Sequence, residues 1–162
     1  MSRVIAFPAL SIETARLADL DEVAALVHRV WHAAYDRRLP AELCAERTPA
    51  RLRELIAERI DTASVARLGR RVIGYCDHVA NCIDGVWVDA QYRRRGIGSR
   101  LLAHQLQYLR RQGLPTVQVA CEAFNRAATA FFESQGWYVL EEAVEPLAGE
   151  RDIAIIVFGY SL

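Results

Sequence analysis

The sequence predicts an α/β fold: a single domain over residues 1–162 built on a mixed central sheet. Three observations lead there. Strand-like runs at 62–68, 72–79 and 82–88 are separated only by tight turns, which implies three consecutive antiparallel strands. The stretch 84–112 passes from a β-branched and aromatic run through Arg93-Arg94-Arg95-Gly96-Ile97-Gly98 into a segment with Leu101, Leu102, Leu106 and Leu109 on one face. That is a strand, a glycine loop and a helix start. Beyond it a strand, a helix and a final hairpin complete the pattern.

Taken in order, 10–14 reads as a first strand. Asp19-Leu20-Asp21-Glu22 then starts a helix that runs to about Tyr35, with Val23, Leu26, Val27, Val30 and Trp31 on its apolar side. Pro40 breaks it. Thr48-Pro49 has the form of an N-cap followed by proline at the first helical position, and Leu52, Leu55, Ile56 and Ile60 face inward along the helix that follows. Gly69-Arg70-Arg71 and Ala80-Asn81 are the turns of the meander. The helix expected over 99–112 stops at Gly113, with Pro115 just beyond, and 116–121 is the next strand. Asn125 suits an N-cap and Gly136 a C′ residue for the helix between them, and 138–143 and 153–160 form the closing hairpin.

Composition bounds the partners. With 162 residues, 52% of them hydrophobic, the chain has enough apolar surface for one well-buried core. Twenty basic residues against twenty acidic ones leave no net charge, and no aromatic interleaving or wider basic stripe accompanies Arg93 to Arg95, so nucleic acid is not an expected partner. No apolar run approaches the roughly 20 residues of a membrane span, and the first ten residues lack a signal-peptide pattern. Cys44, Cys76, Cys82 and Cys121 have no metal-ligand spacing, and the last three fall in expected strands where a free thiol packs as a small hydrophobe. A cytoplasmic protein without membrane association is expected. His28 and His32 are four apart on a helix, but with no third ligand they and His104 read as surface or core groups.

The glycine loop carries the chemistry. The first backbone N–H groups of a helix have no internal partner and lie at the positive end of its dipole, and Gly96 and Gly98 leave them open to a ligand while Arg93 to Arg95 add charge. A phosphate or pyrophosphate site is expected. A Walker A loop is absent, and a dinucleotide fingerprint would need a third glycine where Leu101 stands. The loop instead resembles the acyl-CoA signature Arg/Gln-x-x-Gly-x-Gly/Ala of the GCN5-related N-acetyltransferase (GNAT) family, matched by Arg93, Gly96 and Gly98. A second stretch, Asn125 to Trp137, resembles the family's later motif at Asn125, Ala128, Phe131 and Gly136-Trp137.

The resemblance implies a GNAT-like architecture in which the meander is followed by a parallel, splayed strand pair. It implies acetyl-CoA as co-substrate, lying along Val86, Trp87 and Val88, with its pyrophosphate on Arg93, Arg94, Arg95, Gly96, Ile97, Gly98 and Ser99, and contacts from Asn125, Ala128 and Phe131. The acceptor would be a primary amine of a small molecule or peptide, attacking the thioester directly, and many members of the family form homodimers. At pH 7 an α-amine of pKa about 8 is roughly a tenth neutral, but a lysine amine near 10.4 only a few parts in ten thousand, so a general base matters most for lysine-like acceptors. Asp84 is the first candidate, because it shares strand parity with Val86 and Val88 and the resemblance implies an acidic residue there; the Ala80-Asn81 turn would set it across from Asp77, where repulsion raises one carboxyl pKa, and a one-residue slip would face it with His78. Glu122 is the second. Phe132 stands where the family usually has a tyrosine acid, leaving Tyr138 or an ordered water as replacement. The alternative function is a non-catalytic acyl-CoA-binding module.

Overall fold

A computed structural model describes residues 8–147 and 151–162. Strand β1 (Leu10–Thr14) leads through a short 3-10 turn into α1 (Leu20–Tyr35), α2 (Ala41–Glu46) and α3 (Pro49–Ala57). The meander β2 (Ser64–Leu68), β3 (Arg71–Val79) and β4 (Cys82–Val88) follows, then α4 (Ile97–Arg111), β5 (Thr116–Glu122), α5 (Arg126–Ser134), β6 (Tyr138–Leu147) and β7 (Arg151–Ser161). The seven strands form one mixed sheet in the order β1-β2-β3-β4-β5-β7-β6. Helix α2 is absent from the expectations above because its six residues are too few to show a helical period.

Side-chain alternation divides the core between the two faces of this sheet. On one face, Val23, Leu26, Val27 and Val30 of α1 and Leu52 and Ile56 of α3 pack on Val65, Val72 and Tyr75. On the other, Leu101, Leu102 and Leu109 of α4 and Phe132 of α5 pack on Ile73, Cys76, Ile83, Val117, Val119 and Phe158. The Thr48 side chain accepts from the Arg51 N–H at 3.1 Å and so caps α3. All four cysteines are free; Cys76 and Cys121 are buried among apolar neighbours, whereas Cys82 is exposed rather than packed.

The β4–β5 junction sets up everything that follows. These strands run parallel but pair only at Cys82 with Gln118 and Ile83 with Val119, so the edge of β4 from Asp84 onward has no strand partner on that side. The β3–β4 register corrects the expected facing pair: Asp77 lies across from Gly85 and His78 from Ile83, which leaves Asp84 as the extra residue of a β-bulge. Gly85 is needed for another reason. A Cβ there would collide with the indole of Trp87, which folds back over it.

Beneath α4, Gln105 is fully buried and satisfied at both ends. Its Oε1 accepts from the Ser64 hydroxyl at 2.6 Å, and its Nε2 donates to Thr62 O at 2.8 Å and to His78 Nδ1 at 2.7 Å. His78 therefore has to be neutral with its proton on Nε2. Burial, reinforced by nearby Arg59, holds this imidazole below its ordinary range. The unfolded chain takes up the proton first, so the stability from neutral His78 is complete above about pH 6.5 and is lost as pH falls below it. Wild type is expected to lose urea resistance between pH 7 and pH 5 more steeply than His78→Asn, and equal slopes would remove the network from the account.

Candidate active site

Where β4 leaves β5, a cavity of about 790 Å³ opens between the end of α1, the β4 edge, the start of α4 and the start of α5. Its walls include Val86, Trp87, Val88, Arg93, Arg94, Gly96, Ile97, Gly98, Ser99, Asn125, Ala128 and Phe131, every one of them an expected cofactor contact. Arg95 is the exception: it does not line the cavity, and its guanidinium lies 5.7 Å from the centre of the Tyr92 ring. Tyr92, Phe124, Arg126, Ala127 and the α1 residues Val30, Ala34, Tyr35 and Arg38 complete most of the wall, and none of them is among the expected site residues.

At one end the loop before α4 takes a left-handed turn at Arg94 (φ 62°) and again at Gly96 (φ 75°), then enters the helix. The second position suits glycine, which has no Cβ penalty there; the first is strained for arginine. Helix α4 thus presents the N–H groups of Ile97, Gly98 and Ser99 at the cavity wall. A Cβ on Gly98 would sit 3.4 Å from the Phe131 ring and 3.6 Å from Val86, so the missing side chain keeps this cleft open. Arg93 Nε donates to Val88 O at 3.2 Å, and among the described residues Arg93, Arg94 and Arg95 form no ion pairs. The buried Asp89 fixes the turn after β4 through Arg29 at 3.1 Å and Arg71 at 3.2 Å.

At the other end, Tyr35 Oη donates to Glu122 Oε2 at 2.7 Å and accepts from Asn125 Nδ2 at 3.1 Å. Asn125 also caps α5, its Oδ1 accepting from the Ala128 N–H at 3.2 Å. Burial, then the neighbouring Glu122 carboxylate, holds the Tyr35 phenol well above its ordinary pKa, so it stays protonated. Glu122 does not itself line the cavity, but it contacts Tyr35 of the cavity wall directly. Asp84 does not line the cavity; its carboxylate turns to Arg59 on the α3 side at 2.9 Å. The carboxyl that is raised is Asp77, pushed up to about 7 chiefly by burial, with Arg59 opposing and Asp84 adding to the shift. Tyr138 lies on the outermost strand, half exposed and outside the cavity wall. Phe132 is buried against Phe131, Trp137 and Phe158 and turns no polar atom to the site.

The profile of the Acetyltransferase (GNAT) family matches residues 26–137, which span both motifs and the whole cavity wall. The chain belongs to the GNAT family. In Escherichia coli, the enzyme named ribosomal protein bS18-alanine N-acetyltransferase is 35% identical over 72 residues, covering 43% of this GNAT chain and 49% of that enzyme, so the chain spans about half the length of the curated relatives it matches. The fold is shared with a GCN5-related N-acetyltransferase from Rhodopseudomonas palustris at 18% identity, full coverage of both chains and a TM-score of 0.73. It is also shared with a putative acetyltransferase from Salmonella typhimurium, solved with acetyl-CoA, at 21% identity, 95% and 94% coverage and a TM-score of 0.69. Among the described residues of this GNAT protein no group of three His, Cys, Asp or Glu side chains is placed to hold a metal ion. His32, read from the sequence as a surface or core group, contacts Asp36 Oδ1 at 2.6 Å and Arg47 O at 2.9 Å through its ring nitrogens. No helix among these residues is long and apolar enough to cross a membrane.

Proposed function

We propose that this protein transfers an acetyl group from acetyl-CoA to a primary amine by direct attack of the amine on the thioester. The observation that carries this reading is the cavity itself. One end combines a helix N-terminus, a side-chain-free cleft at Gly98 and two arginines without acidic partners, which suits a pyrophosphate. Behind the wall at the other end, a carboxylate is joined to the cavity through Tyr35 in a part-buried hydrogen-bond network, which suits an amine that must lose a proton. Between them runs the unpaired edge of β4, whose backbone suits the amide groups of a pantetheine arm. Ile97, Gly98, Ser99, Arg93 and Arg94 would hold the phosphates, Val86 to Val88 the arm, and Glu122 would take the proton ahead of Asp84, which Arg59 already engages.

The relatives' name supports an α-amine at a peptide N-terminus as the first acceptor to try. The free, mostly buried cysteines support a reducing, cytoplasmic setting. Phe132 favours a second reading, a module that binds acyl-CoA without turnover, since the hydroxyl expected there is missing.

Calorimetric titration of acetyl-CoA into wild type and Gly98→Glu tests the first step. Gly98 lies outside the left-handed region, so the variant is expected to fold and to bind at least ~100-fold more weakly, since a side chain there fills the cleft beside the helix N-terminus. Absence of wild-type binding overturns both readings. Binding without acetylation of an alanyl peptide or of spermidine supports the module.

A further inference from the structure

We propose that Tyr35, from the end of α1, supplies the proton to the departing thiolate, in place of the hydroxyl missing at Phe132. The inference rests on the acetyl-transfer reading above and names a residue of that same site.

Two phenols line the cavity. Tyr92 lies at the arginine-loop end, with the guanidinium groups of Arg71 and Arg95 5.8 and 5.7 Å from its ring centre. Tyr35 lies at the other end, on the side where β4 and β5 have separated, and its Oη touches both Glu122 and Asn125. Its ring is fixed by Trp31, 5.0 Å away between centroids, and by Phe124 at 6.0 Å. The hydroxyl is therefore aimed by packing, and it joins the proposed base to the cavity that the acetyl-transfer reading assigns to the thioester.

The proton count closes. The neutral amine forms its N–C bond as the C–S bond breaks, and the nitrogen gives one proton to the Glu122 carboxylate. Tyr35 gives its phenolic proton to the sulfur and takes the new proton from Glu122. The products are an amide and a thiol, and both side chains return to their starting forms. Asn125 Nδ2 donates to the phenolic oxygen, which orients Tyr35 and eases the moment at which it carries less proton. Asn125 is thus a positioning residue.

A merely structural Tyr35 predicts something different. Tyr35→Phe keeps the ring and its aromatic packing and removes only the proton. With acetyl-CoA and an alanyl peptide, kcat is expected to fall by about 10²-fold or more, the scale of a positioned acid. Acetyl-CoA affinity by calorimetry and the melting temperature should stay close to wild type. Replacing Tyr35 by tetrafluorotyrosine, a much stronger acid, should bring an alkaline limb of the rate profile into range. The other ionisable groups packed around Tyr35 are the Glu122 carboxylate and the Cys121 thiol on β5 and the buried Cys44 thiol on α2; burial pushes Cys121 up to about 12 and raises Cys44 as well. A Tyr35→Phe rate within about threefold of wild type, far short of what a positioned acid contributes, or an unmoved profile with the fluorinated residue, overturns the proposal and leaves acetyl transfer standing. A wild type that binds acetyl-CoA but acetylates neither the alanyl peptide nor spermidine overturns both.

Discussion

Glu122→Gln is expected to lower kcat by about 10²–10⁴-fold while leaving acetyl-CoA affinity within a few-fold of wild type. The substitution is nearly isosteric, and its amide oxygen can still accept the 2.7 Å hydrogen bond from Tyr35, so the aromatic wall of the cavity should hold its shape. What disappears is the proposed proton acceptor, held one hydrogen bond behind the cavity wall. The loss should be greater for a lysine-like acceptor than for an α-amine, because the neutral fraction at pH 7 differs by more than about a hundredfold between amines of pKa about 10.4 and about 8. Asp84→Asn is expected to change kcat by no more than a few-fold, since Arg59 holds that carboxylate on the α3 side. The pair of variants, assayed by thiol release from about pH 6 to about pH 9, decides the assignment. A large loss in Asp84→Asn with little in Glu122→Gln would move the base to the bulge.

Short-range features of this chain are legible in its residue pattern. The arginine-glycine loop, the Thr48 and Asn125 caps and the period of α1 and α4 depend on neighbours within a turn or two, and all fall where that pattern sets them. The expected cofactor contacts other than Arg95 line the cavity for the same reason: they sit on one strand, one loop and two helix starts. The proposed base and acid are less legible because their pairing depends on tertiary placement. Tyr35 meets Glu122 across 87 positions of sequence, and no period or spacing reports that contact. The available signal is weak: an aromatic with a polar tip, one helical turn after Trp31 at the end of an apolar helix face. Asp84 is displaced from its expected partner by one residue of bulge. Strand parity reads facing partners only while the ladder stays regular, and between Asp77 and His78 it does not. Tyr138 is displaced differently: it lies on the strand at the sheet's far edge, two strands beyond β5 and outside the cavity wall.

Arg59 is where stability, rather than chemistry, should respond most. Its guanidinium lies 3.3 Å from Asp77 Oδ2 and 2.9 Å from Asp84 Oδ2, and Asp77 is only 2% exposed. Tyr75 Oη donates to Asp77 Oδ2 at 3.1 Å, while Oδ1 of the same carboxyl has no hydrogen-bond partner among the described residues. Arg59→Met keeps the stem and removes the charge, so it leaves a buried carboxyl without its counter-ion. A carboxyl of pKa about 7 escapes an unpaired charge at pH 8 by taking up a proton, which costs about 1.4 kcal/mol, so the expected loss is about 1–2 kcal/mol, roughly 2–8 °C in melting temperature for a chain of this size. The pH dependence follows from Asp77. Its folded pKa, about 7, lies above the unfolded value, so the stability it contributes is present at low pH and is lost as pH rises through that value. At about pH 5.5 the folded carboxyl is already protonated and needs little compensation, and the cost of Arg59→Met should shrink. Adding Asp77→Asn to Arg59→Met should recover much of the loss at about pH 8, because the amide has no charge to strand. Urea unfolding of the two single variants and the double variant measures this coupling directly. Strict additivity would mean that Arg59 and Asp77 stabilise the fold independently, and the ion pair would have no energetic content.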